Sequence, residues 1–174
     1  MILPWRFKED IQSADLKIIT RVVITYNESS GDSTTPRKVR LSTHSVSFPE
    51  LDENGILRDE YYSPLILNMP KMKESIDIEK RNFKISNISL HVSNFEYNGF
   101  VFSDITKNNN LHNAEVDIYW QTQSAETEED CLKIYNGQVK RISHDDSKVI
   151  IGLEDYTQVK LSKKLPVETL SNST

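Results

Sequence analysis

The stretch KISNISLHVSNFEYNGFVFSDI, from Lys84 to Ile105, carries the pattern that decides the fold. Its residues Ile88, Leu90 and Val92 recur at a spacing of two with polar residues between them, as in a strand that buries one face. Ile85 is out of phase with this alternation. A β-bulge near Ser86 and Asn87 would place Ile85 and the later residues on the same face, because one extra residue reverses the alternation.

Three Asn-Gly pairs divide the chain, at Asn54-Gly55, Asn98-Gly99 and Asn136-Gly137. Asn-Gly readily supplies the two positive φ angles that a tight hairpin turn needs. Each pair is therefore predicted to turn one strand back along the preceding one. Three such turns predict a mainly β chain, an antiparallel β-barrel-like fold or a sandwich meander, with one or two short helices.

The strand patterns elsewhere differ in strength. Residues 17–26 are rich in β-branched side chains, which predicts a strand buried on much of both faces. Residues 27–36 have the composition of an exposed loop, and residues 39–48 give a weaker, edge-strand pattern. Residues 114–120 show the cleanest alternation in the chain, and residues 149–153 repeat it. The predicted core scaffold comprises Ile88, Leu90, Val92, Val116, Ile118, Trp120, Val149, Ile151 and Leu153.

The length of 174 residues suits one ordinary domain with short extensions. We assign residues 1–16 to an N-terminal arm, residues 17–166 to a β-rich domain and residues 167–174 to a linker or frayed end. Near the end of the domain, Asp155 is predicted to cap a short helix.

The N-terminal arm carries four large apolar side chains before any periodic pattern begins: Ile2, Leu3, Trp5 and Phe7. Apolar side chains at a chain end need a cover, because large exposed apolar patches are uncommon on monomers. The arm is interpreted as docking on a neighbouring subunit. Packing on its own domain remains the alternative.

Composition excludes several classes of protein. The formal charge of -5 argues against nucleic-acid binding, which requires a basic surface. No run approaches the roughly 20 apolar residues of a membrane span. The first residues become charged too early for a signal peptide. A single cysteine, Cys131, rules out an internal disulfide framework. A soluble chain without a membrane partner is expected.

One segment partly matches a calcium-binding loop. Glu50, Asp52, Asn54 and Gly55 occupy four of its required positions, but Tyr61 stands where the acidic twelfth ligand belongs. No amphipathic helix pattern flanks the segment. A hairpin turning at Asn54-Gly55 is the preferred interpretation.

No catalytic or metal site is predicted. The run His144-Asp145-Asp146-Ser147 contains triad residue types, but triad members are brought together by the fold, and these residues are typical of a turn. Cys131 opens a strand, where a buried thiol is the ordinary outcome. The histidines lack metal-ligand spacing, and no glycine-rich phosphate loop occurs, so no cofactor is expected. These histidines are His44, His91, His112 and His144.

The order of these features resembles a known family. The runs are FKISNISLHVSNFEYNGFVFSD, LHNAEVDIYW and CLKIYNGQVKRISHDDSKVIIGLEDYTQVKLSKKLP. They resemble the N-terminal domain of tail hub (baseplate hub) proteins of tailed bacteriophages, notably marine phages. The resemblance covers about Tyr62 to Pro166. It rests on Ser93-Asn94 within a strand, a strand of the Ala-x-Val-x-Ile type ending at Trp120, the Tyr135-Asn136-Gly137 strand pair, the aspartates before Val149, and Glu154-Asp155 leading into Leu161.

The resemblance implies a β-barrel-like hub domain that assembles as a trimer at the distal end of the tail tube. Its implied partners are further copies of itself, tail-tube or distal tail proteins, and tail-tip or fibre proteins. Its implied location is the virion tail, assembled in the host cytoplasm, and it is not expected to be an enzyme. Hub proteins continue well past the position matching Pro166, so the resemblance is to the first part of a longer hub.

Two other functions stay open. A carbohydrate-binding or receptor-binding β-sandwich of a phage tail would use aromatic rings to stack on sugars. The candidate rings are Trp5, Tyr61, Tyr62, Tyr97 and Trp120, although Trp120 is in phase with the predicted core. A hydrolase domain of the tail ranks third.

Overall fold

The structure is a computed structural model that describes residues 3–30, 33–51, 55–68, 74–77, 82–85 and 88–156. Two short α-helices and a 3-10 helix accompany the strands. The helices are α1 (Trp5–Asp10), α2 (Phe102–Asn108) and the 3-10 helix Glu128–Asp130. The strands are β1 (Ile19–Ser30), β2 (Ser33–Ser42), β3 (Val46–Leu51), β4 (Leu57–Tyr62), β5 (Glu74–Asp77), β6 (Asn82–Ile85), β7 (Ile88–Ser93), β8 (Glu115–Gln121), β9 (Leu132–His144) and β10 (Lys148–Asp155).

Six strands form one antiparallel sheet in the order β2-β1-β8-β9-β10-β7. The hairpins β3-β4 and β5-β6 form two further two-stranded sheets. The predicted fold class, a mainly β antiparallel meander with two short helices, is therefore confirmed. Within the described residues, no helix has the length and apolar character to cross a membrane.

An extended segment, residues 63–67, connects the two edges of the large sheet. The Ser63 N–H donates to the Arg40 carbonyl of β2 at 3.1 Å, and the Leu67 N–H donates to the His91 carbonyl of β7 at 2.9 Å. As far as the structure describes the chain, β2 and β7 do not pair with each other, so strand pairing does not close the sheet into a barrel. The segment instead satisfies backbone groups on part of both edges.

The hydrophobic core lies on the inner face of the sheet. Eight of the nine residues predicted as scaffold belong to it and are at most 1% exposed: Ile88, Leu90, Val92, Val116, Ile118, Val149, Ile151 and Leu153. Phe102 of α2 and Leu111 cover it. Trp120 differs from the prediction, because it is half-buried and stands outside this core. It pairs with Thr20 and Leu132 at the end of β8, beyond the core residues of that strand.

Residues 84–93, predicted to form one strand with a bulge, belong to two different strands. The first two belong to β6, which pairs with β5, whereas β7 pairs with β10 in the large sheet. The predicted bulge at residues 86–87 lies outside the described residues. The Asn98-Gly99 turn is confirmed, with φ angles of 51° and 83°. The chain then enters α2 and does not return as a strand. The buried amide of Asn94 accepts the Ser103 N–H at 2.9 Å and so holds the first turn of this helix.

Of the other two predicted Asn-Gly turns, one forms and one does not. The β3-β4 hairpin forms as predicted, with Gly55 at φ 75°, although Asn54 lies outside the described residues. The predicted turn at Asn136-Gly137 is wrong, because β9 runs through it without interruption. Gly137 instead allows the backbone of Glu154 and the side chain of Tyr135 to pack closely against it. A Cβ atom there would lie 2.4 Å from the Glu154 carbonyl oxygen and 2.6 Å from the Tyr135 hydroxyl.

The predicted loop 27–36 is also wrong. Residues Asn27 to Ser30 pair with Ser33 to Pro36, so β1 and β2 form one long hairpin that extends past the rest of the sheet. Arg37 and Glu28 form an exposed ion pair across it at 2.7 Å. The helix predicted after Asp155 is described at its first residue alone, Tyr156, which is helical, and Asp155 itself ends β10.

Candidate functional site

The outer face of the sheet carries a second, smaller cluster built around a buried cation. We call it the outer cluster: Arg21, Phe48, Tyr62, Tyr119 and Cys131. Val22 and Ile24 of β1 point into the core, so the alternation of the strand sends Arg21 to the opposite face. The β3-β4 hairpin supplies Phe48 and Tyr62, and Arg21 is fully buried.

Aromatic rings surround the Arg21 guanidinium. Its central carbon lies 3.7 Å from the centre of the Phe48 ring, 4.9 Å from that of Tyr62 and 5.5 Å from that of Tyr119. Such contacts stabilise a cation removed from water. Its Nη1 donates to the Tyr62 hydroxyl at 3.0 Å, and its Nη2 donates to the Cys131 sulfur at 3.2 Å. Among the described residues, no carboxylate forms an ion pair with Arg21, and its Nε has no hydrogen-bond partner.

Tyr62 connects Arg21 to a negatively charged group, the carboxylate of Glu50. The Tyr62 hydroxyl donates to Glu50, which also accepts hydrogen bonds from Arg40 Nη2 at 3.0 Å and Arg40 Nε at 3.2 Å. Burial raises the pKa of Tyr62 far above its ordinary value, so its hydroxyl stays protonated and donates. Burial also raises the pKa of Glu50, but the hydrogen bonds from Arg40 and Tyr62 outweigh it and hold the pKa below its ordinary value. The buried carboxylate is therefore charged and links the hairpin to β2.

Glu50→Gln is expected to weaken the pH dependence of folding. The lowered folded-state pKa of Glu50 contributes stability that is present above the unfolded-state pKa, about 4.3, and is lost as pH falls through the folded value. We expect the variant to lose about 1–3 kcal/mol at pH 7, because Tyr62 and Arg40 keep a weaker acceptor. The free energy of unfolding in urea should then fall less steeply on acidification than it does in the unaltered protein. The exposed Glu129→Gln is the control, and identical slopes for both variants would contradict the role of Glu50.

A cavity of about 600 Å³ opens between the β3-β4 hairpin and the 3-10 helix. We call it the hairpin cavity. Glu50, Tyr119 and Cys131 are its buried wall residues, whereas Leu51 and Leu57 are 66% and 58% exposed. Its remaining lining residues are Lys38, Pro49, Thr127, Glu128, Glu129 and Lys133.

The buried polar groups of the hairpin cavity, Glu50, Tyr119 and Cys131, are engaged in structural bonds. The Tyr119 hydroxyl donates to Glu128 Oε1 at 2.7 Å, and burial together with this bond raises the pKa of Tyr119. Burial also raises the pKa of the Cys131 thiol against the opposing effect of Arg21, which favours the unreactive protonated form. The prediction that Cys131 is a buried thiol is confirmed, since it is 5% exposed.

Helix α1 fastens the N-terminal arm to the segment before the 3-10 helix. Arg6 Nη1 donates to the Ser124 carbonyl at 2.9 Å and forms an ion pair with Glu126 at 2.7 Å. The Asp10 carboxylate accepts the Ser124 hydroxyl at 2.6 Å. The four arm residues therefore differ: Phe7 is 3% exposed against its own domain, Leu3 is half-buried, Trp5 is 63% exposed, and Ile2 lies outside the described residues.

The remaining candidates from the sequence are dispersed. Asp145 accepts the Ser147 hydroxyl at 2.8 Å and the Lys148 N–H at 2.8 Å, which makes it the residue that organises the turn. In the part of the chain that the structure describes, no three or more His, Cys, Asp or Glu side chains group as metal ligands would. Of the five aromatic candidates, Tyr61 and Tyr97 meet through their hydroxyls, whereas Tyr62 is buried in the outer cluster.

Sequence reasoning missed Arg21. The signal was present, because Arg21 is the single charge inside the β-branched run ITRVVIT, in a strand predicted to be buried on much of both faces. A charge at such a position must find partners on another element. Comparison with protein-family models and with curated proteins finds no match to this chain.

Proposed function

We propose that the protein is a structural virion protein, a tail hub or baseplate component that joins the distal tail tube to the tip and host-binding parts. The observation that carries the proposal is the exposed apolar end of the β3-β4 hairpin beside the hairpin cavity. Leu51, Ile56 and Leu57 are 66%, 54% and 58% exposed there. Exposed apolar side chains grouped at a cavity favour protein contact over free solvent.

The proposal rests further on how the polar side chains are used. Through their hydrogen bonds, Glu50 holds the β3-β4 hairpin, Tyr119 holds the 3-10 helix, and Asp145 holds the turn before β10. Such bonds favour a rigid scaffold over a reaction centre. The resemblance to hub proteins supplies the location in the virion tail and the further partners, which are tail-tube, tip and fibre proteins.

The proposed occupant of the hairpin cavity is a second copy of this chain. A closed ring of identical subunits needs two different surfaces on each copy. Trp5, 63% exposed on α1, offers one surface, and the hairpin end offers the other. Tryptophan is enriched among residues that dominate binding energy, since one ring buries a large area at small entropic cost. In the proposed trimer, Trp5 of one copy packs against the hairpin end of the next.

Trp5→Ala is expected to reduce the mass of the assembly. At concentrations where the unaltered protein is also monomeric, it should leave the melting temperature unchanged, because Trp5 is exposed in the single chain. Phe7→Ala should instead destabilise α1 by about 1–2 kcal/mol, limited by local detachment of the helix. Sedimentation measures the mass and thermal melting measures the stability. A second variant, Leu57→Ser, tests the facing surface.

A protein that is monomeric at every accessible concentration would overturn the assembly role. So would an unchanged trimer mass in both Trp5→Ala and Leu57→Ser. A loss of mass in both variants, with the melting temperature of the dilute monomer retained, supports docking between copies.

A further inference from the structure

A second concave site lies on the other side of β2, between the outer edge of that strand, residues 61–63 and α2. We call it the edge groove. Its volume is about 320 Å³, at the small end of the ~300–1,000 Å³ range of small-molecule sites. The lining residues that matter here are Tyr26, Tyr61, Phe100, Lys38, Arg40 and Asn109. We propose that the edge groove binds a short neutral saccharide, a function beyond the proposed hub role.

The aromatic side of the groove is held in place by its neighbours. Tyr97 packs against Phe100 edge to face, with ring centres 6.5 Å apart and planes at 89°. The Tyr97 hydroxyl is hydrogen-bonded to that of Tyr61, which also contacts the Ser45 hydroxyl at 3.0 Å. Tyr61 is nevertheless 43% exposed. A fixed, exposed ring suits the apolar C–H face of a sugar, because the ring offers contact area with little entropy to lose.

Polar groups complete the groove. The Asn109 amide nitrogen donates to the Ile105 carbonyl at 3.1 Å, which orients the amide and leaves its oxygen as an acceptor. Directly after the end of β2, the Thr43 N–H donates to the Thr20 carbonyl of β1 at 3.1 Å. Along β2, residues whose backbone groups bond to β1 alternate with residues whose backbone groups point away from it. Counting from Thr43, Lys38 is of the second kind, so its N–H and C=O point away from its partner Thr25 on β1. This backbone donor and acceptor face the side of β2 on which the groove lies.

The same edge is a poor template for an added peptide strand. Pro36 occupies the next outward-facing position along β2 and has no N–H to donate. On the other side of Lys38, the Arg40 carbonyl is already taken by the Ser63 N–H. An added strand could therefore pair fully only with the backbone of Lys38, because the outward-facing positions on both sides of it are blocked. A small hydroxylated ligand needs only the N–H and C=O of Lys38.

The charges around the groove cancel. Arg40 lies 3.0 Å from Glu50 and 3.3 Å from Glu60, and Lys38 lies 3.7 Å from Glu50. Two cations thus face two carboxylates. A phosphate, a sulfated sugar or an organic cation would gain little from such a surface. The balance favours a neutral ligand held by hydrogen bonds and ring contact.

The test is a titration followed by amide NMR shifts on the intact protein. The probes are glucose, galactose, mannose, N-acetylglucosamine and their β1,4-linked disaccharides, each up to about 10 mM, since weak sites have a Kd near 1 mM. We expect saturable shifts with at least one probe. Tyr61→Ala and Asn109→Ala should each weaken its binding at least tenfold. Tyr61→Phe keeps the ring but loses the hydroxyl that fixes it, so its affinity should lie between those of Tyr61→Ala and the unaltered protein. Phe95→Ala, at an aromatic residue that is 67% exposed, is the control and should bind normally.

The proposal is overturned if no neutral probe binds, if only glucuronate or inorganic phosphate binds, or if Tyr61→Ala and Asn109→Ala bind as well as the unaltered protein. Thermal melting of each variant verifies folding. Because the readout is a saccharide titration and not an assembly mass, its failure is distinguishable from failure of the proposed hub function.

Discussion

Val116→Asp is expected to abolish most of the stability of the domain, with a loss of about 4 kcal/mol or more. Val116 is fully buried on β8, where it pairs with Ile24 on one side and Gly137 on the other. A carboxylate there would face the apolar core without a cation. Urea unfolding at pH 7 measures the change in free energy.

The control stands one residue away on the same strand. Glu115 is exposed, and its carboxylate accepts an exposed hydrogen bond from Asn136 at 3.1 Å. Glu115→Ala should therefore change stability by less than about 0.5 kcal/mol. Equal losses in the two variants would show that the faces of β8 are assigned wrongly.

Gly137→Ala is expected to cost about 3 kcal/mol, an overpacking effect at the upper end of its usual range. The added Cβ would meet the Glu154 carbonyl oxygen at 2.4 Å, and β10 holds that backbone in place. It would also meet the Tyr135 hydroxyl at 2.6 Å, because the ring of Tyr135 lies over the glycine. The carbonyl cannot withdraw without disturbing the sheet, and the Tyr135 ring is 4% exposed and packed in the core.

Gly152→Ala provides the matched control in the adjacent strand. Its nearest neighbour would be the Arg141 carbonyl oxygen at 3.6 Å, an ordinary contact distance. Its effect should stay within about 1 kcal/mol. Similar melting temperatures for the two alanine variants would contradict the close approach at Gly137.

The Asn-Gly pairs illustrate how far local sequence reaches. Asn98-Gly99 adopts the turn that its dipeptide favours, and Gly55 does the same in the β3-β4 hairpin. Asn136-Gly137 has the same residues but lies between β8 and β10, whose ladders with β9 outweigh the local turn preference. A turn preference of this size decides the conformation only where no neighbouring strand competes.

The arm and the loop 27–36 show the same limit. The apolar content of residues 1–7 predicted that they need a cover, but only the docking of α1 through Arg6 and Asp10 separates buried Phe7 from exposed Trp5. The polar composition of residues 27–36 predicted a loop. Pairing across the β1-β2 hairpin made it strand, because backbone hydrogen bonds do not depend on side-chain polarity.

The sequence by itself determined the fold class and the inward faces of β7, β8 and β10, because alternation with a period of two is a property of neighbouring residues. Tertiary structure alone decided which strands are neighbours, and with that the two sites. Arg21 bonds to Tyr62 and Cys131, which lie 41 and 110 residues later in the sequence. The edge groove brings together β2 and α2, which are also far apart in the sequence. Contacts of that range arise from the order of strands in the sheet, which no local pattern encodes.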